Sequence, residues 1–318
     1  MAADPKISVV VPCFNAARYV VATLRSVLAQ SGFDLDVVVV DDGSSDGSAD
    51  VVAAALPTVR VVRSENRGAA AARNAGIACA RHDWIAFADA DDLWLPGKLR
   101  AQWALLAAQP GARMAYTDVH LWPSTEPSPS AAFLADFERI AADPSRWQGP
   151  AGWIYPQLLR NCEIATPTVL IHRSVLDEVG VFDTGLSLGE DYDLWLRVSR
   201  ATPILRVHAP MVLYRIHESN TTRRAPERNY KEEVIARALA RWGYRSPDGT
   251  LADKSAVMRH LARSWVDFGV PHLLAGNFST ARQAAFKALR VDPSHWTAWK
   301  LMSLALLGSV RGGRQRGA

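Results

Sequence analysis

Three aspartates in one short stretch are the first residues of this chain whose types and spacing indicate chemistry. Asp89-Ala90-Asp91-Asp92 follows residues 84–88, an apolar run typical of a buried strand. Side chains two apart on an extended chain point the same way, so Asp89 and Asp91 are expected to face one ligand. Their carboxylates repel each other unless a cation lies between them, and Mg²⁺ or Mn²⁺ prefers oxygen ligands of this kind. The simpler alternative is an acidic turn before a helix that has Pro96 in its first turn.

Polar residues also follow two other apolar runs, at Pro12-Cys13-Phe14-Asn15 and Asp41-Asp42-Gly43-Ser44. The patterns predict strands over 7–11, 36–40, 59–62 and 84–88, and helices over 17–30, 48–55 and 68–80. Such alternation predicts an α/β fold with a mostly parallel sheet flanked by helices. Ligands of these sheets bind outside the carboxyl ends of the strands, where the polar residues fall. The predicted sheet edge therefore suits a cation, or a ligand that brings a metal ion.

Composition and missing motifs exclude several classes of protein. The chain is 49% hydrophobic and 21% charged, which excludes a disordered or fibrous protein, and its net charge of +4 is too small to indicate a nucleic-acid partner. Residues 12–17 contain no glycine, so the dinucleotide-binding motif is absent, as is a P-loop. The three cysteines are far apart and are expected to be free thiols. No apolar run reaches about 18 residues and no secretory pattern is present, so we expect a cytoplasmic protein with at most peripheral membrane contact.

The polar stretches belong to an ordered series of motifs. The series is Val9-Val10-Val11-Pro12-Cys13-Phe14-Asn15, Asp41-Asp42-Gly43, Asn66-Arg67-Gly68 with Ala72-Arg73-Asn74-Ala75-Gly76, Asp89-Ala90-Asp91-Asp92, Gly189-Glu190-Asp191-Tyr192-Asp193, and Tyr214-Arg215-Ile216-His217. Over residues 6–222 it resembles the family-2 glycosyltransferases, which have the GT-A fold. The resemblance implies an inverting, metal-dependent transferase that uses Mg²⁺ or Mn²⁺ and a UDP, dTDP or GDP sugar. It also implies a glycan or lipid-linked acceptor, in the synthesis of surface polysaccharide or lipopolysaccharide.

The resemblance also implies which residues bind the donor. They are Pro12, Phe14, Asn15, Asp41, Asp42, Arg73, Asp89, Ala90 and Asp91. Asp41 matches the residue that bonds the base, and a carboxylate accepts from the ring N–H of uracil, thymine or guanine but not from unprotonated cytosine. Asp41 and Asp42 have the alternative role of helix caps, Phe14 that of a core residue, and Arg73 that of a solvated helix residue.

The same resemblance implies the residues that carry the reaction. Asp89 and Asp91 would hold the metal, with His217 as a further ligand, and Arg215 and His217 would contact phosphate or metal. Asp92 is left open between a third ligand and a helix cap. Of the pair Glu190 and Asp191, the motif position favours Asp191 as the general base that takes the acceptor proton. The alternative for this pair is an ordinary acidic helix N-terminus, and for Arg215 and His217 a surface strand.

The organisation predicted along the chain has two domains. They are a GT-A catalytic domain over 1–222, with a nucleotide-sugar half over 1–118 and an acceptor half over 119–222, and a helical region over 223–318. The acceptor half begins with a proline-rich insertion over 121–150 that contains a short helix over 131–142. Trp147, Trp153 and Tyr155 are either acceptor-lining or packing residues. Residues 220–224 are expected to form a loop that closes over the site.

The helical region has the spacing of a tetratricopeptide repeat, since Trp299 follows Trp265 by one 34-residue period. It is expected to bind a protein partner or a second copy through residues 225–310, or to pack on the catalytic domain, and to end in a disordered basic tail. A rival hypothesis is a transferase fold that has lost activity and binds partners through these helices. A nucleotidyltransferase is disfavoured because the glycine-rich activation loop after the first strand is absent.

Overall fold

A computed structural model describes residues 4–218 and 226–315 of the chain. Strands β1 to β8 span Lys6–Cys13, Asp34–Asp42, Arg60–Ser64, Trp84–Phe87, Leu93–Trp94, Met114–Pro123, Leu170–His172 and Ile204–Ile216. Helices α1 to α12 span Val20–Leu28, Ser48–Ala55, Ala69–Cys79, Lys98–Ala108, Ala131–Ala141, Tyr155–Leu158, Arg173–Val179, Glu190–Val198, Tyr230–Trp242, Lys254–Leu274, Phe278–Val291 and Trp296–Gln315. Short 3-10 turns cover Pro144–Arg146 and Thr166–Thr168. The elements predicted for residues 7–88 are confirmed, with ends within three residues of those expected.

The described strands form one mixed sheet in the order β3-β2-β1-β4-β7-β6-β8-β5. The predicted part, β1 to β4, is parallel, while β7 runs antiparallel between β4 and β6. The central strands are buried on both faces, which explains why β1 and β2 read as nearly unbroken valine runs. The carboxyl ends of β1, β2 and β4 therefore lie side by side, and the α/β fold class is confirmed.

A glycine sets how closely α3 approaches this sheet. A Cβ added at Gly76 would lie 2.3 Å from Cγ1 of Val10 on β1, so only glycine leaves room for the strand side chain. Arg73 lies three residues earlier on the same helix. The close packing of α3 on β1 thus determines where the Arg73 side chain lies at the sheet edge.

The chain divides into two compact units. The first contains Met1–Ile154 and Glu163–His217, and the second contains Tyr155–Cys162 and Glu218–Ala318. The expected boundary after residue 222 and the expected loop over 220–224 lie outside the described residues. Residues 155–162, expected in the acceptor half, belong to the second unit. Within that unit the hydroxyl of Tyr155 donates to the carbonyls of Ala238 and Gly243 (3.2 and 2.8 Å), so Tyr155 is a packing residue.

The helical character of the second unit is confirmed. Helices α10 and α11 form a helical hairpin, and α12 packs on both through Leu301 and Ala305. A Cβ on Gly269 would lie 2.6 Å from Leu301, so this glycine permits the close approach of α10 and α12. Residues 311–315, expected to be disordered, continue the backbone of α12. No helix in the described ranges is long and apolar enough to cross a membrane.

Candidate active site

A tight turn at the carboxyl end of β4 carries the aspartates that the sequence singled out. The backbone N–H of Asp92 donates to the carbonyl of Asp89 (3.1 Å) and closes the turn. Thr23 on α1 donates its hydroxyl to the carbonyl of Ala90 (3.0 Å). Ala90 is buried, so it shapes the turn and does not present a side chain to a ligand. The turn leaves Asp89 and Asp91 partly exposed at the sheet edge.

Arg73 joins this turn to the second acidic motif. Its Nη2 lies 2.9 Å from Oδ1 of Asp89, and its Nη1 lies 2.8 Å from Oε1 of Glu190, at the start of α8. The side chain is only 8% exposed. Burial disfavours the charged guanidinium, but the two carboxylates outweigh burial and raise the pKa of Arg73. Motifs separated by about a hundred residues of sequence therefore meet in one place, with Arg73 buried between them rather than solvated.

The carboxylates at this place repel one another. Burial, reinforced by the nearby Asp91, raises the pKa of Asp89 despite its ion pair with Arg73. Burial and then the adjacent Asp191 raise the pKa of Glu190 in the same way. Arg73 offsets only part of this repulsion. Additional positive charge at the site is electrostatically favoured, which is the property that a divalent cation requires.

His217 lies beside the second aspartate of the turn. Its Nε2 is 2.9 Å from Oδ2 of Asp91, and its ring packs against Tyr19 with centroids 5.2 Å apart. Among the residues that the structure describes, no three histidine, cysteine or acidic side chains form a closed metal site. What is present fits Mg²⁺ or Mn²⁺, because these ions are usually held by one or two carboxylates and complete their coordination with water and phosphate oxygens.

Arg215 does not point toward open space as a phosphate ligand would. The residue is fully buried at the end of β8. Its Nε donates to the carbonyl of Asp91 (2.6 Å), and its Nη groups donate to the carbonyls of Glu126 and Pro127. Its backbone N–H donates to Oδ1 of the buried Asp92 (2.9 Å). Arg215 therefore ties the aspartate turn to the insertion, and Asp92 anchors β8 rather than capping α4.

Asp191 lies in the first turn of α8, partly exposed beside Glu190. The N–H of Tyr192 donates to its Oδ1 (2.7 Å), and the hydroxyl of Thr166 lies 3.4 Å from its Oδ2. Further along the helix, Asp193 and Arg197 form the ordinary ion pair that their spacing predicts (2.8 Å). The Asp191 carboxylate is thus oriented by one backbone donor and one hydroxyl, and the residue is partly exposed.

The two aspartates at the end of β2 have different roles. Both oxygens of Asp42 accept from backbone N–H groups at the start of α3, those of Arg67 (2.9 Å) and Gly68 (2.8 Å). Asp42 therefore caps the start of α3, and not α2, the next helix in sequence, for which the capping alternative was expected. The carboxylate of the buried Asp41 accepts, among the described residues, only the N–H of Ser44, at 3.3 Å. Its carboxylate keeps the acceptor capacity that base recognition needs.

The segment after β1 presents an aromatic ring to solvent. Phe14 is 51% exposed, so it is not the core residue that the alternative interpretation required. Pro12 before it is half-buried. Asn15 has a positive φ of 50° and accepts from the N–H of Ser45 (2.9 Å), which fixes this segment against the loop that follows β2. Phe14 and Asp41 therefore lie on neighbouring strand ends.

Comparison with known proteins identifies the family that the first part of the chain matches. The family model described as Glycosyl transferase family 2 matches residues 8–141, from β1 to α5. Residues 8–141 are therefore a family-2 glycosyltransferase domain. An uncharacterised glycosyltransferase of Rickettsia typhi is 25% identical over 70% of this chain and 67% of its own length. The Escherichia coli enzyme named UDP-Glc:alpha-D-GlcNAc-diphosphoundecaprenol beta-1,3-glucosyltransferase is 27% identical over 68% of this chain and 79% of its own.

The fold of the glycosyltransferase also matches solved structures. S. aureus TarS 1–349 in complex with UDP-GlcNAc superposes with a TM-score of 0.63 at 18% identity, over 98% of this chain and 92% of that one. At this identity the likeness shows the GT-A fold alone. The chain spans about a third of the length of two further Rickettsia glycosyltransferases that it matches.

One charged cluster of the glycosyltransferase was missed by sequence reasoning. Arg206 on β8 is buried and pairs with Asp118 on β6 (2.5 Å) and with Glu163 (3.3 Å). Ala115 on β6 and Ala86 on β4 both pair with Leu170 on β7. Asp118 and Asp89 each lie three residues further along, so they are about level at the same sheet edge. The partners are 43 and 88 residues apart, and no local motif marks them.

Proposed function

We propose that this glycosyltransferase moves a sugar from a nucleotide-diphosphate sugar to a hydroxyl of a glycan or lipid-linked acceptor, with inversion at the anomeric carbon. The observation that carries the proposal is the buried Arg73, which holds Asp89 and Glu190 on either side of one guanidinium. The first belongs to the turn that would bind the donor diphosphate, and the second lies next to the candidate base. Donor and acceptor chemistry thus share one edge of the sheet.

The end of β2 and the segment after β1 form the nucleotide side of the proposed site. The exposed ring of Phe14 is free to stack on a base, and the buried carboxylate of Asp41 accepts from a ring N–H. This pair suits UDP, dTDP or GDP sugars and disfavours CDP sugars. A UDP sugar is the donor that the printed name of the E. coli relative gives, and UDP-GlcNAc is the molecule bound in the S. aureus structure. UDP is therefore the first nucleotide to test.

Asp89 and Asp91 are the residues that would hold Mg²⁺ or Mn²⁺ against the donor diphosphate, with His217 beside them as a further ligand. A bound divalent ion supplies Lewis-acid stabilisation of the charge that develops on the leaving diphosphate. The protein's own residues prepare this position. Arg73 orients Asp89, and Arg215 fixes the backbone of Asp91.

Asp191 is the proposed general base. It takes the proton of the acceptor hydroxyl, whose oxygen forms a bond to the anomeric carbon from the face opposite the diphosphate. The bond between that carbon and the diphosphate oxygen breaks in the same displacement, so the configuration is inverted. The backbone N–H of Tyr192 and the hydroxyl of Thr166 hold the carboxylate in place. Glu190, next to Asp191 in sequence, is linked through Arg73 to the donor turn.

The test replaces Asp191 by asparagine and keeps its shape. A positioned base contributes roughly 10²- to 10⁴-fold to rate, so we expect Asp191→Asn to lower transfer by at least a hundredfold while UDP binding stays within threefold of wild type. Asp193→Asn, two residues along the same helix, is the matched control and should keep transfer within threefold. Transfer is measured by released UDP, and binding by calorimetry with Mn²⁺. Equal losses of transfer in both variants would contradict the base assignment.

The acceptor side and its location extend this proposal. The cluster of Asp118, Glu163 and Arg206 lies on the same edge as Asp89, where an acceptor sugar would approach. The name of the E. coli relative specifies a diphosphoundecaprenol-linked acceptor, which supports a lipid-linked substrate and a role in surface polysaccharide synthesis. Transfer to such an acceptor would take place at the cytoplasmic face of the membrane.

A further inference from the structure

Helix α12 has a face of large apolar side chains that are 44–69% exposed. Its inner face, Ala298, Leu301 and Ala305, is buried against the other helices of the second unit. The opposite face is exposed and carries two tryptophans and three leucines: Trp296, Trp299, Leu304, Leu306 and Leu307. Trp296 is 69% exposed and Leu307 is 62% exposed. A monomeric surface rarely concentrates large apolar side chains in this way.

The same positions of the repeat pattern are buried in its first occurrence and exposed in its second. Trp265 is 9% exposed within the core of the second unit, whereas Trp299, one 34-residue period later, is 55% exposed. Leu273 packs against the same core, and its equivalent, Leu307, is exposed. The second occurrence of the pattern therefore presents to solvent the residue types that the first occurrence buries. These side chains are therefore available to contact an apolar environment other than the core of the second unit.

The charge of the surrounding segment indicates which environment that is. Residues 293–318 contain four basic residues, Lys300, Arg311, Arg314 and Arg316, and no acidic residue. The whole chain has 36 basic and 32 acidic residues, so the remaining 292 residues carry 32 of each and have no net charge. That balance is a cancellation of −6 over residues 1–222 (19 basic, 25 acidic) and +6 over residues 223–292 (13 basic, 7 acidic), so residues 293–318 extend a basic helical region and are its stretch without any acidic residue. Apolar and aromatic side chains next to basic ones, without acidic ones, are the composition of helices that lie on anionic lipid surfaces.

We propose that α12 binds an anionic membrane surface, with its tryptophans and leucines among the acyl chains and its basic residues at the headgroups. A second copy of this chain fits less well, because pairing two α12 faces would bring two segments of charge +4 together. The inference deepens the proposed function, since a lipid-linked acceptor lies in the same surface. Its binding step needs neither donor nor acceptor and is tested separately.

The experiment measures flotation of the full chain with vesicles. We expect binding to vesicles of phosphatidylcholine with 30% phosphatidylglycerol, weakening at least tenfold between low salt and about 0.5 M salt, and little binding to phosphatidylcholine alone. Leu307→Glu and Lys300→Glu should each weaken binding at least fivefold. Phe286→Glu is the matched control, because Phe286 is similarly exposed (56%) but lies on α11. Circular dichroism confirms that each variant is folded.

Three results would overturn the proposal. They are absence of binding by the wild-type chain, equal weakening by Phe286→Glu and Leu307→Glu, and a wild-type dimer in sedimentation equilibrium that Leu307→Glu abolishes. Release of UDP from a UDP sugar, measured without vesicles, separates this proposal from the proposed function. If the wild-type chain releases UDP but does not bind vesicles, only the membrane-binding proposal is contradicted. If it binds vesicles but does not release UDP, only the proposed transferase function is contradicted.

Discussion

At the scale of the residue, the site depends on a cation that the protein itself supplies. Arg73 is buried and forks between Asp89 and Glu190, two carboxylates whose pKa values are raised first of all by burial. Such a pair stabilises the fold little compared with an apolar substitute of the same shape, but removal of one partner leaves buried charge uncompensated. The guanidinium is therefore best understood as a positioning group for both motifs.

Removal of the Arg73 charge is expected to affect both stability and donor binding. Arg73→Met should lower the free energy of unfolding by up to about 3–5 kcal/mol, because two partly buried carboxylates lose their partner. Arg73→Lys should recover only part of this, since one ammonium cannot make the two forked contacts. Arg67→Met, at the exposed start of the same helix, is the control and should stay within about 0.5 kcal/mol. Urea titration measures all three, and wild-type stability in Arg73→Met would contradict this role.

The residues also show what sequence alone can assign. The spacing of Asp89 and Asp91 predicts their shared site because the periodicity of a strand is local. Asp41 and Asp42 adjoin, so only the structure separates a free acceptor from a cap that binds Arg67 and Gly68. The partner of Asp92 is the backbone of Arg215, 123 residues away, and no local pattern encodes such a pair.

At the scale of the element, close packing of α3 on β1 places Arg73 at the sheet edge. Helix α3 begins where Asp42 caps it, and Gly76 lets it approach Val10. Alternating strands and helices were predictable because each element has its own periodicity. The antiparallel insertion of β7 between β4 and β6 was not, because it depends on pairing between strands more than 80 residues apart.

A single added methyl group tests this packing. Gly76→Ala would place a Cβ 2.3 Å from Val10, and overpacking of this kind costs about 1–3 kcal/mol. This cost exceeds the gain of about 1 kcal/mol for alanine over glycine in a helix, so the variant should be destabilised. Transfer should also fall, since α3 must shift Arg73. Gly111→Ala, with open space around it, is the control and should be neutral or slightly stabilising. Thermal unfolding and UDP release measure both effects, and a Gly76→Ala variant as stable as Gly111→Ala would contradict the packing argument.

At the scale of the whole molecule, the candidate site and the C-terminal helices belong to different units of the chain. Every residue of the candidate site lies in the first unit, whose core is formed by the valines and leucines of β1, β2 and α1. The second unit has its own core, built from Trp265, Phe268 and the alanines of α11. The sequence predicted a change from strands to helices near residue 225. It did not predict that residues 155–162 belong with the helices. Their place there depends on contacts of Tyr155 with Ala238 on α9 and with Gly243, more than 80 residues later in the sequence.

This separation predicts where a bound nucleotide changes the dynamics of the chain. A ligand at 100 times its dissociation constant adds about 2.7 kcal/mol, which slows exchange of amides that open with the ligand-binding unit by about a hundredfold. With UDP and Mn²⁺ we expect such slowing at the ends of β1, β2 and β4, and little change in α10 to α12, because their amides are protected by a core without any site residue. Hydrogen exchange with mass spectrometry measures both units in one sample.

CDP is the matched ligand control, since Asp41 disfavours cytosine, and Asp91→Asn should remove the dependence on Mn²⁺. Equal protection by CDP would contradict the role of Asp41, and protection of α10 to α12 as strong as that of β4 would show that the two cores open together.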